Sequence, residues 1–213
     1  MFCNKLSEKE GFTPAYRIQV DPDLASSDPF NTDPMSTDPA KWGMMPISSD
    51  ARWDAVEIAA DATGYRLPTE AQWEYACRAG TTTAFNDGVT QKWNDSAAVN
   101  ELGWYYSNSG SWTHEVGKKM PNAWGLYDMH GNVYEWCWDW YGTYPSNEKK
   151  KVEGKEEEEI VPYPDPLGPV SGSSRVRRGG YWYSNALGLR SACRYYYTPN
   201  SRISSFGLRL TRP

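Results

Sequence analysis

The residues best equipped for chemistry lie between Arg178 and Leu210, where the chain reads RGGYWYSNALGLRSACRYYYTPNSRISSFGLRL. A framework of Gly179, Gly180, Trp182, Arg190, Ser191, Ala192, Arg194, Pro199, Arg202, Gly207 and Arg209 is interleaved with other residues. These are Tyr181, Tyr183, Ser184, Asn185, Gly188, Tyr195, Tyr196, Tyr197, Ser201, Ile203, Ser204, Ser205 and Phe206. Tyrosine supplies large, stiff contact area at small entropic cost, and Ser, Asn and Gly supply adaptable hydrogen bonding. The implied chemistry is non-covalent recognition, because the segment holds no paired nucleophile and base. Elsewhere, His114 and His130 stand in no motif, Ser109 and Ser111 lack a surrounding G-x-S-x-G, and no carboxylate pair stands out by spacing. His130, beside Gly131 in a turn, is expected to have a polar structural role. In DMHGNVYE, Asp128 and Glu135 bracket that turn, where carboxylates can cap backbone amides.

These residues need elements to position them. A single tyrosine near a C-terminus is ordinarily a half-buried strand residue. Neighbours on a strand point to opposite faces, so Tyr195, Tyr196 and Tyr197 cannot share one core face. The trio is therefore expected in a loop that presents all three together, with the interleaved residues converging on one exposed face. Trp182 and Leu189 are expected in the core, and Arg190, Arg194, Arg202 and Arg209 in buried or half-buried hydrogen-bonding roles. In RLPTEAQWEYACRAG (66–80), Thr69 and Gln72 have capping-box spacing, Trp73, Ala76 and Cys77 share a face, and Gly80 ends the helix. Phe2 to Glu10 reads as a short helix with Phe2 and Leu6 on one side and Gly11 as its stop. Asp50 to Thr63 reads as another, with Val56, Ala59 and Ala60 inward and Gly64 closing it. Asp-Pro steps at 28–29, 33–34 and 38–39 predict an irregular loop over 21–46. Beyond residue 80, Trp and Tyr clusters between turn residues predict short strands and loops. The charge run EKKKVEGKEEEE (148–159) reads as a solvated loop.

The 213 residues suffice for one domain with a real core. With 11 Trp and 15 Tyr but only 39% hydrophobic residues, that core is built from a few large rings. Eighteen Gly and 15 Pro spread along the chain point to a loop-rich α+β fold. A net charge of −5 argues against nucleic acid as a partner, and no stretch reaches membrane-spanning length. Cys3, Cys77, Cys137 and Cys193 are isolated, which predicts free thiols rather than a zinc site.

Three blocks in order carry a resemblance: RLPTEAQWEYACRAG (66–80), PNAWGLYDMHGNVYEWCWDWYG (121–142), and the segment 175–210 with its double glycine, RSACR and FGLRL. Together they resemble the formylglycine-generating-enzyme, or sulfatase-modifying-factor, family. The resemblance implies a C-type-lectin-like α+β fold, loop-rich, with two or more short helices and small antiparallel sheets. It implies one domain over 1–213, a charged loop insertion at 148–161, a variable ligand-binding region at 175–210, and a start inside the family's usual domain.

Oxidising members of the family carry cysteines four and nine residues after the double glycine. Those positions here are Ser184 and Leu189. Neither can bind a soft metal or form a mixed disulfide, so no copper and no thiol-based oxidation are expected. The resemblance also implies a structural calcium ion held by Asp128, the carbonyls of Gly131 and Val133, and Glu135. Non-enzymatic relatives often carry Asn at the interleaved positions. Asn codons changed at their adenines yield Tyr, Ser, Gly and Ile, a set this chain displays. The pattern is similar to retroelement-diversified variable proteins of treponemes. That likeness implies a non-catalytic display protein at the cell surface or outside the cell, binding an unknown protein or other surface ligand. The alternative is a family enzyme acting without the two-cysteine site.

Overall fold

The computed structural model describes residues 1–24, 34–90, 96–144, 148–151, 158–161 and 166–213. The chain forms two compact units. One comprises Met1–Leu67, Pro199–Ser201 and Arg209–Pro213; the other comprises Pro68–Thr198 and Arg202–Leu208.

In the first unit, helix α1 (Phe2–Lys9) buries Cys3, Asn4 and Ser7. Strand β1 (Tyr16–Gln19) lies between two antiparallel partners, β2 (Met35–Ser36) and β3 (Glu57–Ile58). The side chain of Asn4 joins helix to sheet. Its Nδ2 donates to the carbonyls of Tyr16 (2.6 Å) and Thr37 (2.7 Å), while Oδ1 accepts from Tyr16 N–H (2.9 Å). These bonds, rather than an apolar stripe, choose the inward face, so Phe2 is exposed. The helix expected over 50–63 is only α2 (Ala51–Asp54), capped by Asp50. β3 follows because its backbone pairs with Tyr16 and Arg17, and Ala60 is exposed. The expected irregular loop is partly ordered. It contains 3-10 turns at Pro22–Leu24 and Pro39–Lys41, the latter capped by Asp38, with β2 between them. The steps at 28–29 and 33–34 involve residues outside those described.

In the second unit, α3 (Glu70–Arg78) has the capping box its sequence announces, with Thr69 and Gln72 bonding reciprocally. Ala79 closes it in the left-handed region (φ 45°). A further short helix, α4 (Ser96–Leu102), follows. The long strand β4 (Tyr134–Trp140) comes next, then β5 (Glu148–Lys151) and β6 (Glu158–Val161). β5 and β6 pair antiparallel, placing Lys150 opposite Glu159 and Lys151 opposite Glu158 in register. What reads as one solvated loop therefore contains two strands, since runs of opposite charge make compatible cross-strand positions.

Strands β7 (Arg175–Arg178), β8 (Tyr195–Tyr197) and β9 (Phe206–Leu208) complete a sheet of order β8-β7-β4-β9. β9 runs parallel to β4, and the other pairings are antiparallel. Side-chain alternation divides this sheet into two chemistries. On the helix side, Cys137 and Val176 pack with Trp73, Cys77 and Met129, and Glu135 Oε2 accepts from Trp73 Nε1 (2.7 Å). On the opposite side lie Tyr134, Arg177 and Phe206. A second cluster gathers Phe85, Val99, Leu102, Tyr105 and Leu189, each ring or branched chain contributing about 1.5–3 kcal/mol on burial. Leu189 is core as expected, whereas Trp182 is half-buried and Arg202 is exposed. All four cysteines are free, three of them buried.

Arg178 fastens helix to sheet. It is fully buried, donates to Glu74 and to the carbonyl of Cys193, lies 3.3 Å from Glu70, and stacks over the Trp73 ring. Removing one partner of a buried ionic network strands the others, at a cost of roughly 3–5 kcal/mol. Arg178→Met should lower the urea unfolding midpoint by that order. The exposed Arg202→Met should cost under about 1 kcal/mol. Equal effects of the two substitutions would remove the clamp from this account.

Candidate ligand-binding face

The site belongs to the second unit and starts from the turn after β7. Gly179 and Gly180 both take positive φ (89° and 76°). Gly131 N–H donates to Gly179 O (2.8 Å), and Trp182 N–H donates to Asn132 O (2.9 Å). Gly131 is obligatory on two counts: its φ is +98°, and a Cβ there would lie 2.1 Å from Trp104 O. Backbone bonds therefore hold the 179–184 turn in place, leaving the side chains of Tyr181 and Tyr183 free of framework duty.

From that turn, ring contacts run across the sheet. Tyr183 packs edge-on against Trp182 (5.5 Å between centroids), and Trp182 against Tyr181 (5.4 Å). Tyr181 stacks on Tyr134 (5.0 Å), which also meets Tyr195 (4.9 Å) and Phe206 (6.3 Å). Tyr197 meets Phe206 at 5.3 Å. Such offset and edge-on pairs are each worth about 0.5–1.5 kcal/mol beyond their burial. The ends of the run are open, with Tyr183 50% and Tyr197 42% exposed. Asn185, Ile203 and Ser204 are exposed beside these elements in the chain.

Several expected members do not join the face. Ser184 is buried because its hydroxyl accepts from Tyr181 N–H (3.1 Å) and closes the turn. Ser205 is buried because its carbonyl accepts from Tyr134 N–H (2.8 Å) at the start of β9. Gly188 is buried under Tyr195, where a Cβ would come within 2.6 Å of the phenol oxygen. Asn185 has a second duty, its Oδ1 accepting from Gly188 N–H (3.0 Å) to cap the 3-10 turn Ala186–Leu189. The tyrosine trio forms β8 rather than a loop, so Tyr196 points away from its neighbours and stacks on Tyr141 (4.2 Å). Ser201 falls in the other compact unit.

Three further residues bear on the face. Tyr106 is exposed and packs edge-on against Tyr183 (5.1 Å), and Leu208 is exposed on β9. Arg177 lies over the rings of Tyr134 (4.1 Å), Phe206 (4.4 Å) and Tyr197 (5.1 Å). Alternation from Arg178 was the one signal in the sequence that could have found Arg177. Tyr106 lies far from the variable segment in sequence and left none.

The calcium expectation rests on the 128–135 turn. Asp128 adopts φ 59°, its Oδ2 accepts from Gly117 N–H (2.8 Å), and its Oδ1 is buried without a partner. An orphaned buried carboxylate oxygen fits a cation. Glu135 is buried on β4 with Oε2 already accepting from Trp73. Among the described residues, no group of three or more His, Cys, Asp or Glu side chains is arranged around one point, so carbonyls would have to supply much of any calcium shell.

A cleft of about 410 Å³ opens elsewhere in this unit, lined in part by Glu70, Asp139, Tyr144 and Arg194. Burial pushes Asp139 up to about 6 and Tyr144 up to about 12. Its charges are matched internally: Arg194 bonds both oxygens of Glu70 (2.6 and 2.7 Å), and Asp139 accepts from Glu70 N–H. The cleft is thus braced structure, and the ring-lined face is the stronger candidate.

The fold is α+β and C-type-lectin-like, and a family description, the sulfatase-modifying factor enzyme 1-like domain, matches residues 15–213. The chain belongs to that family. It is similar to variable protein 1 of Treponema denticola, whose solved structure superposes with a TM-score of 0.75 at 38% identity, covering 100% of this chain and 67% of that one. It is 34% identical to the mouse formylglycine-generating enzyme over 68% of this chain and 38% of the relative. It is 35% identical to a Chlamydia pneumoniae protein named serine/threonine-protein kinase pkn1, over 75% of this chain and 23% of the relative. The chain thus spans about a quarter to two-fifths of the length of these two curated relatives.

His130 bears out its structural reading. It is fully buried, Nδ1 donates to Leu189 O (2.7 Å) and Nε2 accepts from Asn86 N–H (3.2 Å), which holds the 3-10 turn below Tyr195. Burial lowers its pKa from 6.5 to about 4. Between those values the unfolded chain binds a proton that the fold does not, so this group's stabilisation is lost as pH falls from 6.5 toward 4. Asp139, raised from 3.8 to about 6, works the other way, its contribution being lost as pH rises through that interval. An NMR titration of the two histidines should give His130 a midpoint near 4. A midpoint at the ordinary value would contradict the buried neutral ring.

Proposed function

We propose that the chain is a non-catalytic display module that binds a protein ligand through the ring-lined face of its 175–210 region. The observation that carries this reading is the unbroken run of aromatic contacts from Tyr183 to Tyr197, exposed at both ends and mounted on backbone bonds. Substitution at such positions removes no framework bond, and outward changes usually cost little stability. Binding energy at a protein interface concentrates in a few aromatic and arginine anchors. The kinship with a variable protein supports diversification of this segment by a retroelement and display at a cell surface.

Catalysis by the family's thiol route has no chemical basis in this chain. Ser184 Oγ is engaged with Tyr181 N–H, and Leu189 is buried in the core, at the two positions where oxidising members carry cysteine. Cys193, outside that pattern, is half-buried with Sγ 3.0 Å from Leu187 O.

Selection of a displayed random-peptide library on the intact chain tests the face. Peptides recovered should lose at least about tenfold in affinity to the double variant Tyr183→Ala/Tyr197→Ala, a loss of about 1.4 kcal/mol or more. Its melting temperature should stay close to the parent's. Undiminished binding, or unfolding of the variant, would show these rings to be packing. Conversion of a cysteine peptide to formylglycine by the purified chain would return it to the enzymes.

The same reading gives the 128–135 turn a calcium ion, held by Asp128, the carbonyls of Gly131 and Val133, and Glu135. The ion would neutralise the orphaned oxygen of Asp128 and brace the turn on which Trp182 rests. Chelator should lower the melting temperature and calcium restore it by linkage, and Asp128→Ala should abolish the response. An unchanged melting temperature on chelation would remove the ion.

A further inference from the structure

Arg177 stands apart from the other arginines of the second unit. Arg178 and Arg194 each reach Glu70, as a buried guanidinium requires. Arg177 is only 9% exposed, yet among the described residues no carboxylate pairs with it, and its Nε is buried without an acceptor. Its close neighbours are the rings of Tyr134, Phe206 and Tyr197. Burial lowers its pKa, and the groups acting against that are phenols, not acids. Ring faces return about 0.5–2 kcal/mol to a cation. They leave unmet the in-plane donors of a fork built for two oxygens. A cation desolvated to this degree, and uncompensated, is poised for an anion brought from outside.

The geometry points to Arg177 as the anion-recognition point of the ring-lined face, receiving the carboxylate of an Asp or Glu side chain on a protein ligand. The inference rests on that face being the binding surface. A planar carboxylate matches the guanidinium bidentately. The tyrosine-rich surround is the composition by which protein surfaces are bound, which favours an acidic side chain over a phosphate or a glycan acid. Arginine enclosed by aromatic rings, and shielded from water once the ligand is seated, is a typical energetic centre of an interface.

The experiment selects displayed random peptides on the intact chain and on Arg177→Gln and Arg177→Lys, with melting temperatures measured for all three. Peptides chosen by the parent should share an Asp or Glu. Replacing that residue by Asn or Gln, or Arg177 by Gln, should each weaken binding at least about tenfold, since truncating one partner of a buried charge pair is costly. The two changes together should cost little more than either alone. Arg177→Lys keeps the charge without the fork, so it should retain the acidic preference at reduced affinity, and it serves as the readout if Arg177→Gln melts early. A parent pool without acidic preference, or acidic peptides that bind Arg177→Gln equally well, would overturn the proposal. If such peptides still depend on Tyr197, the ring face stands and Arg177 alone is lost; if no peptide depends on either, both readings fall. Protection of Arg177 by inorganic phosphate but not by the acidic peptides would overturn it in favour of a phosphorylated ligand.

Discussion

The second unit depends on one buried guanidinium. Arg178 reaches Glu70 and Glu74, which fall one helical turn apart on α3, and also the carbonyl of Cys193 ahead of β8. Helix start, central strand and edge strand thus meet at one planar group. Thr69 must cap where it does, because shifting the helix by a residue would swing both carboxylates off the guanidinium. Strand alternation then sends Arg177 to the opposite face. Two adjacent arginines on one short strand therefore meet opposite environments, carboxylates on one side of the sheet and aromatic rings on the other.

What was legible in the sequence follows from how locally each feature is encoded. The Thr69–Gln72 box and the stop at Ala79–Gly80 are written within a dozen residues, and α3 is where they place it. Family blocks conveyed the lectin-like fold that periodicity alone reduced to a loop-rich mixture. The tyrosine trio was misjudged because burial was taken to need a core face, whereas an edge strand can expose one side and lay the other on a neighbouring ring. Ser184, Gly188 and Ser205 share the composition of a binding surface but serve turn closure and close packing. Those roles depend on partners distant in sequence, such as Tyr134 and Tyr195.

The face combines a fixed backbone with exchangeable side chains. Asn132, Gly131 and Ser205 engage it through main-chain groups, and only Ser184 and Asn185 contribute side-chain bonds to its turns. Tyr181, Tyr183 and Tyr197 contribute area and stiffness but no printed backbone anchor of their own side chains. Shape is thereby separated from surface chemistry, which is how an irregular lectin-like frame can carry many different surfaces.

The parallel pairing of β9 with β4 carries a kinetic consequence. Tyr134 lies beside Phe206, with β7 and β8 formed from the intervening chain. That contact is among the most non-local in the unit, and closing so long a loop precedes any reward from pairing. Helix α3 and the β4–β7 ladder can assemble on shorter loops. The aromatic face, which needs Phe206 in place over Tyr134, is then among the last surfaces to form during folding. A chain emerging from the ribosome would hold its framework before its recognition surface exists, so variation in that surface falls mostly on the late steps of folding, where it slows nucleation least.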